Sequence, residues 1–400
     1  MDIRSLEPFW VLQNSFITSY PSLTEDITTS VVIIGAGITG ALIAHTLIEA
    51  GYDVTLVDKR DVCHGSTAAS TAMLQYEVDV PLYTLIDKVG ITNAVTSYKQ
   101  CDVAIDTLEA IVSEINSNCD FRKKESVLFT TEKKEVPSLR KEYEARCNHG
   151  FEVSWLDKNA IQGLGVHNGQ AGIKSTAGAV INPYIFAQDL LLYAVKKGLK
   201  VFDKTEIKDR NQKGDNMVLT TRTGNVIKTS HVIHCTGYES VETLPKDTVT
   251  LISTYAIASE VFADLPSPFK NMILWDTADP YHYYRGTEDG RIIMGGGDTP
   301  FKNAKARDSL LAKKEKQLVK TFQKTFPAIP FIKDYSWAGT FGETKDGLPY
   351  MGKPDPNRNE HYILGFGGNG ITFSVMGRDV IIPSIEGRPH PFLEYYKFDR

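Results

Sequence analysis

Three stretches carry residue types at spacings that do chemistry. In the first, Gly35, Gly37 and Gly40 form a G-x-G-x-x-G run directly after the β-branched stretch Val31 to Ile34. Glycines there allow a tight turn at Gly35, close approach of a pyrophosphate at Gly37 and close helix–strand packing at Gly40. The helix that follows offers unpaired N–H groups and the positive end of its dipole to phosphate. Asp58 ends the next apolar run, 18 residues beyond Gly40, where a carboxylate meets ribose hydroxyls. The second stretch repeats the glycine pattern at Gly365, Gly367 and Gly370, with too little chain after it for another βαβ unit. A Gly-rich turn running into a helix from Ile371 can instead face the negative charge that builds at N1 and C2=O of a reduced flavin; the bland alternative is a plain loop. The third stretch is Tyr281-His282-Tyr283-Tyr284-Arg285. On a strand, Tyr281, Tyr283 and Arg285 share one face. Aromatic faces cage an amine and Arg285 can take a carboxylate, although aromatic cross-strand pairs produce the same pattern.

These residues need elements to hold them. Val31 to Ile34 reads as a buried parallel strand, with a helix running to Gly51 and a second strand at Val54 to Val57. The pattern from Thr84 to about Asn118 is helical. Strands are expected at Ser126 to Thr131 and Val153 to Leu156. A helix follows from Asn182, its N-cap, through Pro183 to Gly198. A hairpin spans Met217 to Thr229, and residues 251–298 read as antiparallel sheet. An amphipathic helix covers 304–326, and a last strand and turn, His361 to Gly370, precede a C-terminal helix. Nucleotide-fold elements thus come first and return at the end. The expected fold is α/β: a Rossmann-type dinucleotide domain, discontinuous over 1–85, 155–248 and 336–400, with an inserted antiparallel-sheet and helix substrate domain over 86–154 and 249–335.

Composition excludes several classes. A net charge of −5 gives no footprint for nucleic acid. The five cysteines are scattered without C-x-x-C, which fits a reducing compartment and predicts neither disulfides nor a metal site. No basic leader precedes an apolar core, and the uncharged run Val31 to Ile48 is broken by glycines and by His45 and Thr46, so a cytoplasmic protein without a membrane span is expected.

Five segments in this order resemble the D-amino-acid-oxidase-type flavoproteins, which include glycine oxidase, sarcosine oxidase and γ-glutamylputrescine oxidase. They are Val31–Arg60, Gly65-Ser66-Thr67-Ala68-Ala69-Ser70, Gly178–Pro183 with its helix, Val232–Gly237, and Trp337–Gly352 with Gly365–Thr372. The resemblance implies FAD and oxidation of a C–N bond in an amine or modified amino acid. Hydride passes to flavin N5, and the imine product is hydrolysed. It places Gly35, Gly37 and Gly40 at the pyrophosphate, Asp58 at the ribose, and Lys59 and Arg60 beside the adenosine. Ser66 and Thr67 fall near pyrophosphate and flavin, the backbone at Ile207 at adenine, and Thr236 and Gly237 along the dinucleotide. Gly367, Gly368, Asn369, Gly370, Ile371 and Thr372 fall at the pyrimidine side.

Two departures stand out. In the G-x-R-P-x-T-x-D-G-x-P pattern of glycine oxidase, an Arg grips the substrate carboxylate; here the segment reads Gly339-Thr340-Phe341-Gly342-Glu343 and Phe341 replaces it. A buried carboxylate needs a charge partner, so the substrate is expected to be an amine or modified amino compound, with Glu343 available to attract a cation. Gly339 and Ala69 stand where relatives attach flavin through Cys or His, so the FAD is expected to be non-covalent. Tyr281, Tyr283, Arg285 and Glu343 are the candidate substrate-side residues. Electrons go to O2 or to a carrier, and a non-catalytic flavin-binding protein is the reading from another class.

Overall fold

The protein is described here by a computed structural model that covers residues 1–5, 7–244 and 248–400. Strand Ile27–Ile34 lies at the centre of the first sheet. Its Val31, Val32 and Ile33 are fully buried, as a strand covered on both faces requires. It pairs in parallel with Val54–Val57 on one side and Val226–His234 on the other, so that Ile33 sits between Leu56 and Ile233. Lys200–Phe202 extends the sheet beyond Val54–Val57. Ile207–Lys213 and Asn216–Thr221 form a hairpin that adds antiparallel strands at the other side. Glu360–Leu364 returns late in the chain to pair in parallel with the end of Val226–His234. Helix Ile38–Glu49 packs against helices Pro183–Lys196 and Gly370–Glu386. Asn182 caps the second of these, its Oδ1 accepting from the N–H groups of Tyr184 and Ile185 at 3.2 and 3.1 Å.

A second eight-stranded sheet runs in the order Lys333–Glu343, Thr250–Ser259, Ile292–Pro300, His282–Gly286, Met272–Asp276, Glu125–Thr130, Ala171–Ser175 and Val153–Leu156. Helix Leu311–Thr325 covers one face through Leu318 and Phe322, which meet Tyr284, Phe269 and Phe326 in a separate core. A small sheet of Met73–Gln75, Gly178–Val180 and Arg122–Lys123 lies on the path between the two. The architecture is therefore mixed α/β, with the first sheet assembled from both ends of the sequence. Among the described residues no helix is long and apolar enough to cross a membrane.

The fold differs from the sequence reading at four places. The long helix expected from Thr84 is broken into Leu82–Val89 and Ile91–Glu114 by Gly90, whose φ is +81°. Helix Ile91–Glu114, placed with the inserted domain by sequence, buries Tyr98, Ile105 and Leu108 in the core shared with the first sheet. Ala171–Ser175 and Lys333–Glu343 both belong to the second sheet, near its opposite edges, so the chain crosses between sheets later than residue 154 and again later than residue 335. Met272–Asp276 pairs in parallel with Glu125–Thr130 inside a sheet expected to be antiparallel.

Candidate active site

A cavity of about 410 Å³ runs from the ends of the first-sheet strands to the second sheet. Gly35 lines it with φ +106°, and a side chain there would strike the carbonyl oxygen of Cys235. Gly37 leaves room for the Thr67 hydroxyl, which would lie 2.9 Å from an added Cβ and accepts from the Ile38 N–H. Gly40 stays outside the cavity, packed against the Gly35 carbonyl. Asp58 lines the cavity; its oxygens accept from the N–H groups of Ala36 and Arg60 at 2.7 and 2.8 Å. Burial pushes its carboxyl up while these two bonds pull it back. Each oxygen retains acceptor capacity for a hydroxyl.

Beyond Asp58 the cavity holds a charge cluster that sequence reasoning missed. Glu239, in the turn after Gly237, accepts from Lys59 Nζ at 2.8 Å and Arg60 Nη2 at 2.6 Å. Burial raises its carboxyl, but the two cations outweigh that and hold it low. Lys59 and Arg60 thus line the expected end already paired. Ile207, Thr236 and Gly237 line the same stretch. The Thr236 Oγ1 and Ser66 Oγ atoms are buried without a hydrogen-bond partner among the described residues. Two orphaned hydroxyls lining one cavity fit a ligand rich in acceptors.

The carboxy-terminal turn divides. Gly367, Gly368, Gly370 and Ile371 line the cavity. The Gly367 and Gly368 N–H groups are already taken, by the Gly342 carbonyl and by Asp79 Oδ2, both at 2.7 Å. The first-turn N–H groups of helix Gly370–Glu386 have no side-chain cap, which leaves those of Gly370, Ile371 and Thr372 as the available donors. Asn369 faces away and donates to the Gln75 and Glu77 carbonyls. The Thr372 side chain is buried against Asn369 and Cys101, not in the cavity.

At the second-sheet end Tyr281 and Tyr283 line the cavity with ring centroids 5.9 Å apart. Strand alternation puts Tyr284 on the opposite face, in the core with Phe326. Arg285 shares the tyrosines' face but does not reach the cavity. Its Nη1 donates to the carbonyls of Thr71, Ala72 and Ile181 at 2.9–3.0 Å, and its Nε to Gly286 at 3.1 Å. Burial draws its pKa down to about 9, still cationic at neutral pH. Ala72 lines the cavity with φ +52°, so Arg285 clamps a strained turn and is not free to hold a substrate carboxylate. Glu343 is exposed and does not line the cavity. The expectation for both residues is corrected: alternation gives a side chain's face, not its reach or where the cavity ends. Phe341 and, facing each other 3.7 Å apart across an added Cβ, Gly339 and Ala69 do line it. The Trp337 indole donates to the Ala69 carbonyl from the core behind.

Two carboxylates complete this end, neither foreseen. Asp79 accepts from Gly368 N–H and from the Tyr281 hydroxyl at 3.4 Å. Asp298 lines the cavity beside Thr254, and its Oδ1 is buried without a partner among the described residues. Burial, with Glu343 and Asp79 nearby, pushes its carboxyl up to about 6. The signal in the sequence was Gly295-Gly296-Gly297 directly before it, three glycines inside one strand. Outside the cavity, His45, Glu49 and Glu114 gather possible metal-ligand atoms within 4.8 Å, but Lys197 ion-pairs Glu49 at 2.6 Å and Arg378 approaches His45 at 3.5 Å.

A glycine-cradled βαβ unit, an acid-ended second strand and a cavity reaching a second sheet define a dinucleotide-binding α/β protein. The family model described as FAD dependent oxidoreductase matches residues 30–381, and the chain belongs to that family. It is 23% identical to a putative Rieske 2Fe-2S iron–sulfur protein of Bacillus subtilis, over 96% of this chain and 74% of that one. It is 25% identical to the γ-glutamylputrescine oxidoreductase of Escherichia coli, over 95% and 90%. The crystal structure of glycine oxidase from Geobacillus kaustophilus superposes with a TM-score of 0.77 at 19% identity, over 93% of this chain and 99% of that one. The protein is an FAD-dependent oxidoreductase, and the cavity described here fits its cofactor.

Proposed function

We propose that this oxidoreductase acts on the C–N bond of an amine that lacks an α-carboxylate. One observation carries the reading: the basic residues lining the cavity, Lys59, Arg60, Lys208 and Arg210, all belong to the first sheet and the turn after it, while the second-sheet end is lined by Asp79, Asp298, Tyr281 and Tyr283. A carboxylate desolvated between Asp79 and Asp298 would meet no cation among the residues that line this end of the cavity, whereas an amine meets aromatic faces and acceptors. The names of the γ-glutamylputrescine oxidoreductase and glycine oxidase relatives support amine or amino-acid chemistry. When bound, FAD supplies the two-electron sink for turning a C–N single bond into an imine, which water hydrolyses. This chain's part is to hold the cofactor with Gly35, Gly37, Asp58, Ser66, Thr236 and the first turn of helix Gly370–Glu386. It also orients the amine against Tyr281 and Tyr283 and shields the reacting carbon from water with Phe341.

The test is an anaerobic titration of the holoprotein with primary and secondary amines, N-methyl amino acids, and D- and L-amino acids. Loss of the oxidised flavin band with amines, at concentrations where α-amino acids leave it intact, supports the proposal. Bleaching by α-amino acids alone contradicts it. A second reading, transfer of electrons to a carrier in place of O2, is favoured by the Bacillus subtilis relative. That protein is named for an iron–sulfur centre and is longer than the region matched. Hydrogen peroxide formed in proportion to amine oxidised would exclude it.

A further inference from the structure

Resting on that reading, the acidic end of the cavity contains more charge than oxidation of one amine requires. Hydride leaves an amine's carbon only when its nitrogen carries a lone pair, so the reacting nitrogen must be neutral. A carboxylate beside it favours the ammonium form and works against the reaction. Asp79 and Asp298 are therefore poor partners for the nitrogen that reacts and good partners for one that does not.

Asp298 is also aimed by a built device. Strand Ile292–Pro300 pairs with Thr250–Ser259 in regular register up to Gly296 opposite Tyr255, then resumes with Thr299 opposite Ser253. One extra residue is inserted on the first strand, and Gly296 and Gly297 take φ of +131° and +69° to allow it. A bulge of this kind re-aims a side chain. Here it turns Asp298 into the cavity beside Thr254. Gly295 serves the same end, because any side chain there would occupy the space of the Tyr283 ring. The two tyrosines thus stand next to a carboxylate whose Oδ1 has no partner among the described residues. The other charges around Asp298 are Asp79, Glu343, His282 and Lys314. His282 is engaged by Asp276 at 3.0 Å, and Lys314 lies 5.6 Å from the Tyr255 ring centroid.

We propose that Asp298, assisted by Asp79, binds a second, non-reacting ammonium group of the substrate, so that the preferred substrates are aliphatic diamines. Three probes of equal chain length separate charge from size: the four-carbon diamine, n-butylamine and γ-aminobutyrate. Anaerobic reduction of the holoprotein's flavin, followed at rising probe concentration, gives an apparent Kd for each. The expected order is diamine, then n-butylamine, then γ-aminobutyrate, with the diamine at least about tenfold tighter than n-butylamine. Asp298→Asn is expected to reduce that ratio by about tenfold, and Asp298→Glu to retain part of it. Equal affinity for diamine and n-butylamine in the native protein overturns the inference and leaves amine oxidation standing. An Asp298→Asn protein that slows both amines in parallel, with its ratio intact, also overturns it and makes the carboxylate a proton acceptor instead. Flavin bound but reduced by none of the three, while α-amino acids reduce it, overturns both readings. Should Asp298→Asn fail to retain FAD, the native protein's ratio at low and high salt decides: an ion pair at this end requires the preference to shrink with salt.

Discussion

Replacing Arg285 by methionine separates a structural clamp from a substrate ligand. In the native fold its guanidinium donates to four carbonyls, those of Thr71, Ala72, Ile181 and Gly286, all within 3.1 Å. Methionine fills much of the same volume but leaves these carbonyls without their donor. Thr71, Ala72 and Ile181 lie just beyond the paired ends Met73 and Val180 of the small sheet, and each buried acceptor left unmade costs about 1–3 kcal/mol. Against this, the substitution removes a buried cation that has no carboxylate bonded to it, which returns several kcal/mol. The balance is a net loss of roughly 2–4 kcal/mol. Because Ala72 is strained and lines the cavity, weaker FAD retention should accompany it. Urea unfolding of the holoprotein, read by far-ultraviolet circular dichroism and by flavin release, measures both. Stability unchanged within about 0.5 kcal/mol, together with a raised KM confined to carboxylate-bearing substrates, would refute the clamp and restore Arg285 as a substrate ligand.

Further predictions follow from the same geometry. Gly35→Ala places a Cβ against the Cys235 carbonyl in a left-handed backbone, and should weaken FAD binding by about 100-fold or more, measured by flavin fluorescence titration of the apoprotein. In the fold Asp298 titrates at about 6 against an ordinary 3.8. The native state therefore holds that proton more tightly than the unfolded chain, and stability falls as pH rises between the two values. Asp298→Asn should accordingly be more stable than the native protein above about pH 6, by on the order of 1–2 kcal/mol after solvent screening, with no gain below the ordinary value; an equal gain at acidic and neutral pH would sink the assignment. Gly339 and Ala69 face each other with no nucleophile between them, so acid precipitation should release all the flavin into the supernatant.

The cofactor half of the site was legible in the sequence because each residue there answers one mechanical demand. A glycine at a positive φ, a glycine under a helix start and a carboxylate at a strand end have few alternatives, so their spacing marks them; in the fold Gly35, Gly37 and Asp58 line one cavity, while Gly40 packs behind it. The substrate half was less legible, because its residues depend on where a strand leaves its regular course. Arg285 was assigned to the right face but lies too deep, a distance that alternation does not encode. Asp298 was overlooked because a bulge breaks the period on which strand reading relies. Asp79 lies on an irregular segment and is held by Gly368 and Tyr281, 289 and 202 residues away in sequence. Asn369 and Thr372 were grouped with their glycine neighbours, yet their side chains point into the core, since a helix start sends successive residues to different sides. The crossing points between the sheets were misjudged for a related reason: Ala171–Ser175 carries no local mark of which sheet it joins.

The visible spectrum of the purified protein, before and after reconstitution with FAD, shows whether this cavity holds the cofactor. The expected result is a yellow protein that binds one FAD per chain and loses its oxidised band under anaerobic amine. A colourless protein that cannot be reconstituted with FAD would contradict it.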